Sequence, residues 1–177
     1  MRKWALTLAI MWIPCAICAG QNVVTPPPTQ PQQQAVQPQE QLRQTQVDSL
    51  LAYAATFLHK PYKLGAEGPA YYDCSSFVRA AFRGIGIELP RNTYFQIHEG
   101  EPVINPQELK KGDIVLFGKR VGVREVGHVG IVTDVDLEHC DFTFIHCGVT
   151  NGVEYQRYST PYYLMRYLTG RRIISED

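Results

Sequence analysis

Cys74 stands in Tyr71-Tyr72-Asp73-Cys74-Ser75-Ser76-Phe77-Val78, where an irregular Gly/Pro stretch gives way to an amphipathic pattern. Phe77, Val78, Ala81 and Phe82 recur at helical spacing, and Gly84 supplies a stop. Asp73 is a good N-cap, which puts Cys74 in the first helical turn. The unpaired N–H groups of a helix start carry partial positive charge and favour a thiolate over a thiol. That is one way to make a cysteine nucleophile. Two histidines, His128 and His146, lie downstream on strand-like segments. A helix-start cysteine with histidines on neighbouring strands is a layout for thiol-dependent hydrolysis.

Cleaving an amide with a thiol needs a thiolate, a base, a group that fixes the base, and donors for the oxyanion. Cys74 is the thiolate candidate. His128 begins one strand and His146 ends the next, so an antiparallel hairpin makes them neighbours about 5 Å apart. One can then contact Cys74 while the other holds its imidazole. The N–H groups of Cys74 and Ser75 would face the oxyanion, with the phenol of Tyr62 as a further donor. His59, His98 and His139 fall at helix ends or in turns and read as solvated. Cys74, His128, His146 and Cys147 have the ligand types for zinc but no close Cys-x-x-Cys or His-x-x-His pair. No metal or cofactor is therefore expected.

The elements that must position these residues follow from the pattern. Val47, Leu50, Leu51, Ala54, Phe57 and Leu58 form an apolar stripe, predicting a helix over 46–58. Asn92 can cap a short helix through Gln96. Ile114 to Phe117, His128 to Thr133 and Phe142 to Cys147 read as strands, Val153 to Tyr155 as a short fourth, and Arg171 to Ile174 as a last. Residues 118–127 read as a hairpin loop, and Pro161 to Leu168 as a helical turn or loop. Helices come first and a mostly antiparallel sheet follows, which is the α+β class.

Residues 1–20 read as a secretory signal: Arg2 and Lys3, then an apolar run from Trp4 to Ile13, then the small residues around Ala19. That run is too short to span a bilayer, which takes about 20 residues. Cys15 and Cys18 make a lipid anchor the alternative to simple cleavage, although neither is preceded by the usual Leu-(Ala/Ser)-(Gly/Ala) sequence. Residues 21–46, rich in Pro and Gln, read as a disordered tether. A single domain is expected over 47–177. Lys+Arg and Asp+Glu are equal at 17 each, with no basic run, so nucleic-acid binding has no support. The expected protein is an exported monomer, periplasmic or associated with the cell envelope, with no transmembrane span once mature.

Three cysteines remain beyond the signal segment: Cys74, Cys140 and Cys147. The strand between Cys140 and Cys147 would span about 23 Å if fully extended, far beyond the roughly 7 Å of a disulfide. Cys147 is expected to be a reduced core residue and Cys140 to be partly exposed.

At these residues the chain resembles the NlpC/p60 family of papain-like cell-wall cysteine endopeptidases. The resemblance covers nearly all of 47–177. It rests on Pro61-Tyr62-Lys63-Leu64-Gly65, Asp73-Cys74-Ser75-Ser76-Phe77, Leu89-Pro90-Arg91 with Gln96, Gly112-Asp113 before a strand, His128 to Ile131, and Phe144-Ile145-His146. It implies Cys74 as nucleophile, His128 as base and His146 as the orienting third residue. It also implies Tyr62 near the oxyanion, and Asp73 and Ser75 against the free amine of a peptidoglycan stem peptide. The implied reaction cuts the amide between D-glutamate and a diamino acid. Ser76 departs from the family's glycine. Loop 118–127 is long and carries Arg120 and Arg124, which could shape specificity or close over the site. The stretch between the two histidine strands is long too. Two rivals are a thiol amidase or acyltransferase with another substrate, and a non-catalytic wall-binding protein of the same fold.

Overall fold

The computed structural model describes residues 38–175. The signal segment, Cys15, Cys18 and residues 21–37 of the tether lie outside the described residues. Helix α1 (Pro38–Ala55) buries Val47, Leu50 and Ala54. It starts well before the expected boundary, so residues 38–46, read as disordered tether, are helical. Pro38 suits a first helical position, and the Gln, Glu and Arg that follow are good helix formers. Arg43 pairs with Glu40 one turn back, and Gln44 Nε2 donates to Asp48 at 2.8 Å. These first turns are largely exposed and carry no apolar stripe, so periodicity had nothing to report there.

Helix α2 (Cys74–Arg83) buries Phe77, Val78, Ala81 and Phe82. Asp73 caps it through a reciprocal box: the Ser76 N–H donates to Asp73 Oδ1 at 2.8 Å, and the Asp73 N–H donates to Ser76 Oγ at 2.9 Å. The departure from glycine at position 76 thus closes the cap on the turn that carries Cys74. At Gly84 a Cβ would come within 2.1 Å of the Tyr53 ring, so glycine is what lets α1 and α2 pack together here. Helix α3 (Thr93–Gln96) is capped by Asn92, as expected. The fully buried Gln96 donates through Nε2 to Ser75 O at 3.1 Å and Pro90 O at 2.9 Å, bracing the start of α2.

The remaining chain forms β1 (Glu101–Val103), β2 (Ile114–Gly118), β3 (Val126–Asp136), β4 (Asp141–Gly148), β5 (Gly152–Arg157), the short α4 (Pro161–Leu164) and β6 (Tyr167–Arg172). The sheet order is β1-β6-β2-β3-β4-β5, and every neighbouring pair is antiparallel. The sequence reading lacks β1 and begins the last strand late. Alternation splits the sheet into two faces. Ile114, Leu116, Val129, Ile131, Ile145 and Cys147 meet the helices. Val115, Phe117, Val132, Phe142 and Phe144 form a second cluster with Tyr158, Tyr163 and Tyr167. Cys74, Cys140 and Cys147 are all free thiols, with Cys147 buried and Cys140 exposed. No helix among the described residues is long and apolar enough to cross a membrane.

Candidate active site

A cavity of about 470 Å³ is lined by Tyr62, Cys74, Lys119, His128, His146, Glu154 and Tyr163 among others. Four of the six site residues singled out from sequence, Cys74, His128, His146 and Tyr62, thus line one cavity. Antiparallel pairing of β3 with β4 does the work anticipated for the histidines. His128 Nε2 lies 3.0 Å from His146 Nδ1, with ring centroids 4.9 Å apart. That bond leaves Nδ1 of His128 as the nitrogen free for the thiol. Gly148 gives His146 its room, because a Cβ there would come within 2.8 Å of the ring carbon Cε1.

Both imidazoles sit among aromatic rings. Phe117 and Tyr163 flank His128, and Phe144 and Tyr163 flank His146. His146 is buried, and burial together with the neighbouring His128 drives its pKa down to about 3. His128 retains some accessible surface, but that surface faces the cavity rather than open solvent, and burial lowers it to about 4. Burial likewise raises the Cys74 thiol to about 11, helped by the carboxylate of Asp73 and opposed by backbone N–H groups of Val129, Ser75 and Cys74 itself. The helix start pulls toward the thiolate as the sequence suggested, and burial outweighs it.

Either charge alone is therefore disfavoured. If the two act as a pair, a thiolate and an imidazolium form together, by passage of the thiol proton to His128. One proton shared by the two groups should persist between about pH 4 and about pH 11. Alkylation of Cys74 by iodoacetamide is expected to run at a constant rate across that window. It should fall below the window, where His128 takes a proton from solvent, and rise above it, where a lone thiolate forms. Peptide mass spectrometry would separate Cys74 from the exposed Cys140. A rate rising through about pH 8.5, as for an ordinary thiol, would contradict this pairing.

Asp73 and Ser75 do not reach the cavity. Each is 5% exposed. Asp73 accepts from Arg91 on both oxygens (Nη2 to Oδ2 at 2.8 Å, Nη1 to Oδ1 at 3.1 Å), from the Gly65 N–H, the Ser76 N–H and the Ser75 hydroxyl. Burial pushes its carboxyl upward, but Arg91 and the Ser76 N–H more than offset this, leaving it below the usual range. Ser75 Oγ also accepts from Arg91 at 3.0 Å. These two side chains are expected to hold a substrate amine; in the structure their hydrogen bonds run to Arg91, Gly65 and Ser76 and to each other. Arg91→Ala is expected to cost about 2–3 kcal/mol, because a buried carboxylate loses its counter-charge but keeps its neutral donors. An unchanged urea midpoint would show that the ion pair contributes nothing.

Among the described residues, no group of His, Cys, Asp and Glu side chains converges as a metal-binding set. Sequence reasoning overlooked Arg91 as the partner of Asp73, and Glu154 and Tyr163 as the surroundings of His146. The signal for Glu154 was Asn151-Gly152, a turn pair with Gly152 at φ 71° that sets the β4–β5 register and puts Glu154 opposite His146. Tyr163 had no local signal.

A cysteine on the first turn of a helix, facing a histidine pair on an antiparallel sheet, defines a papain-like fold and site. The model of the NlpC/P60 family matches residues 59–172. The chain belongs to that family. It is 36% identical over 117 residues to the murein DD-endopeptidase MepS/murein LD-carboxypeptidase of Escherichia coli (strain K12), covering 66% of this chain and 57% of that protein. It is 35% identical over 114 residues to a probable endopeptidase NlpC homolog of Haemophilus influenzae, covering 64% of this chain and 55% of the relative. The chain thus spans little more than half the length of these relatives. Among solved structures, an NlpC/P60 family protein from Bacillus cereus superposes with a TM-score of 0.66 at 28% identity, covering 73% of this chain and 40% of that one.

Proposed function

We propose that this protein is a thiol endopeptidase of peptidoglycan stem peptides. The observation that carries the chemistry is the His128–His146 bond at 3.0 Å in the cavity that Cys74 lines. Family membership and relatives named as murein endopeptidases support the substrate. Cys74 Sγ attacks the scissile carbonyl carbon as its proton passes to His128 Nδ1. His146 holds the imidazole through Nε2 of His128. The N–H of Cys74 and the phenol of Tyr62 face the developing oxyanion. The His128 proton then goes to the leaving amine, and water attacks the thioester with His128 again as base, releasing the carboxylate.

The scissile bond favoured here lies within crosslinked wall. A site built around the free amine of a trimmed stem would need Asp73 and Ser75, and both are occupied by Arg91. The relative named as a murein DD-endopeptidase supports this reading, although the same relative is also named a murein LD-carboxypeptidase. The D-glutamyl–diamino acid bond is the second reading, resting on the resemblance at Pro61–Gly65 and Asp73–Phe77. Location follows the substrate: an exported protein of the cell envelope, held there by its tether or by a lipid on Cys15 or Cys18. The loop between β2 and β3 contributes Lys119 to the cavity wall, flanked by Gly118 and Gly127 at the strand ends, which supports a role in specificity.

The test is incubation of the full chain with purified peptidoglycan, with a defined crosslinked muropeptide dimer and with a free tripeptide stem, and with Cys74→Ala as control. Mass spectrometry should show cysteine-dependent conversion of dimer to monomers. Cleavage of the tripeptide alone would select the D-glutamyl reading. Cleavage of neither, with transfer of an acyl group to an added amine, would select the acyltransferase.

A further inference from the structure

His146 can hold His128 in the right state only if its own proton is on the right nitrogen. For His128 Nδ1 to accept from Cys74, His128 must carry its proton on Nε2 and donate it to His146 Nδ1. His146 must then carry its proton on Nε2. In the opposite arrangement His146 donates from Nδ1, and His128 presents an N–H to the thiol and cannot act as base. What lies at Nε2 of His146 therefore sets the direction of the whole chain.

Two groups stand there. The hydroxyl of Tyr163 is 3.4 Å from Nε2, and Glu154 Oε1 is 4.0 Å from it. A phenol can donate or accept, so Tyr163 alone leaves both directions open. An ionised carboxylate only accepts. Glu154 faces His146 directly across the β4–β5 ladder. Asn151 Nδ2 steadies it by donating to both its oxygens, at 3.2 Å and 2.9 Å. The carboxylate is close enough to Tyr163 to help burial raise that phenol's pKa. His146 is held neutral by burial, so its contact with Glu154 is not an ion pair. A proton on Nε2 would direct its N–H dipole at this carboxylate, which lies 4.0 Å away and needs only a small side-chain rotation to accept it.

We propose that Glu154 is a positioning residue that fixes the His146 tautomer, making the Glu154–His146–His128 chain one-directional so that His128 Nδ1 is the base. It also places a negative charge behind the imidazolium that forms when Cys74 attacks. This rests on the reading of Cys74 and His128 as nucleophile and base. Glu154 lies on β5, the last strand at one edge of the sheet, and is partly exposed, so it can be replaced without emptying the core.

The test uses nitrogen-15-labelled full chain as wild type, Glu154→Gln and Glu154→Ala, with the His146 tautomer read from long-range ring correlations in NMR. Wild type should show the Nε2–H form. Both variants should move a measurable fraction of His146 to Nδ1–H, because the carboxamide of glutamine has the same shape but no longer only accepts. On a crosslinked muropeptide, kcat should fall roughly tenfold with KM within about twofold. A wild-type tautomer in Glu154→Gln overturns the proposal, whatever Glu154→Ala does, since an effect of the alanine alone would be one of packing. An Nδ1–H form in wild type also overturns it. The NMR result stands without turnover, so an inactive wild type would count against the proposed substrate and leave the role of Glu154 decided by the spectra.

Discussion

Cys74→Ala should reduce cleavage of crosslinked peptidoglycan to the rate of a buffer control. No other described thiol can replace it: Cys147 is fully buried with its Sγ directed at Tyr72 O, and Cys140 lies outside the cavity lining. The oxyanion donors survive, but without a nucleophile held against the carbonyl they have no intermediate to stabilise. The fold should persist, because Cys74 is only half-buried and the first turn of α2 is held by the Asp73–Ser76 box, Arg91 and Gln96. A shift of about 1 kcal/mol or less in the urea midpoint is expected for the loss of one sulfur. Persistent cleavage by a folded Cys74→Ala protein would remove the thiol mechanism altogether. Loss of cleavage together with unfolding would return Cys74 to a structural role.

His128→Ala should give the second largest loss, roughly 10²–10⁴-fold in kcat, which is the range of a general base. Here the base must also generate the nucleophile. Burial holds the Cys74 thiol up to about 11, so without an imidazole at hand almost none of it ionises near neutral pH. His146→Ala should cost less, because Nδ1 of His128 remains and only its orientation and tautomer are freed. His146 is fully packed against Phe144 and Tyr163, so its alanine variant also opens a cavity. His146→Asn, which keeps a hydrogen-bonding partner for His128, should recover part of the activity, and that recovery separates orientation from packing. Equal losses for the two alanine variants, at equal stability, would count against the assignment of base and orienter.

Cys74 and its helix were legible from adjacent residues, because a cap, a first turn and an apolar stripe are local events. The histidine pair was legible for a related reason: in a hairpin, register follows from where strands begin and end, and His128 lies two residues into β3 as His146 lies two before the end of β4. The early helical turns of α1 were not legible, because their stability comes from polar i to i+3 and i to i+4 contacts that leave no hydrophobic signal. Strand β1 is three residues long and exists by pairing with β6, which is about 70 residues away in the chain.

The sequence by itself determined the candidate set of Cys74, His128 and His146, the capped helix that carries the cysteine, the antiparallel sheet and the family. These depend on residue type and short-range spacing. Tertiary structure decided what surrounds them. It brought Arg91 onto Asp73 and Ser75, a partner that no local pattern announced. It ringed the histidines with Phe117, Phe144 and Tyr163, so that burial rather than the helix start governs the charge state of the site. It set Glu154 opposite His146 on the next strand. Desolvation and saturation of hydrogen bonds are properties of everything within a few ångströms of a group, and neighbours of that kind come from distant parts of the chain.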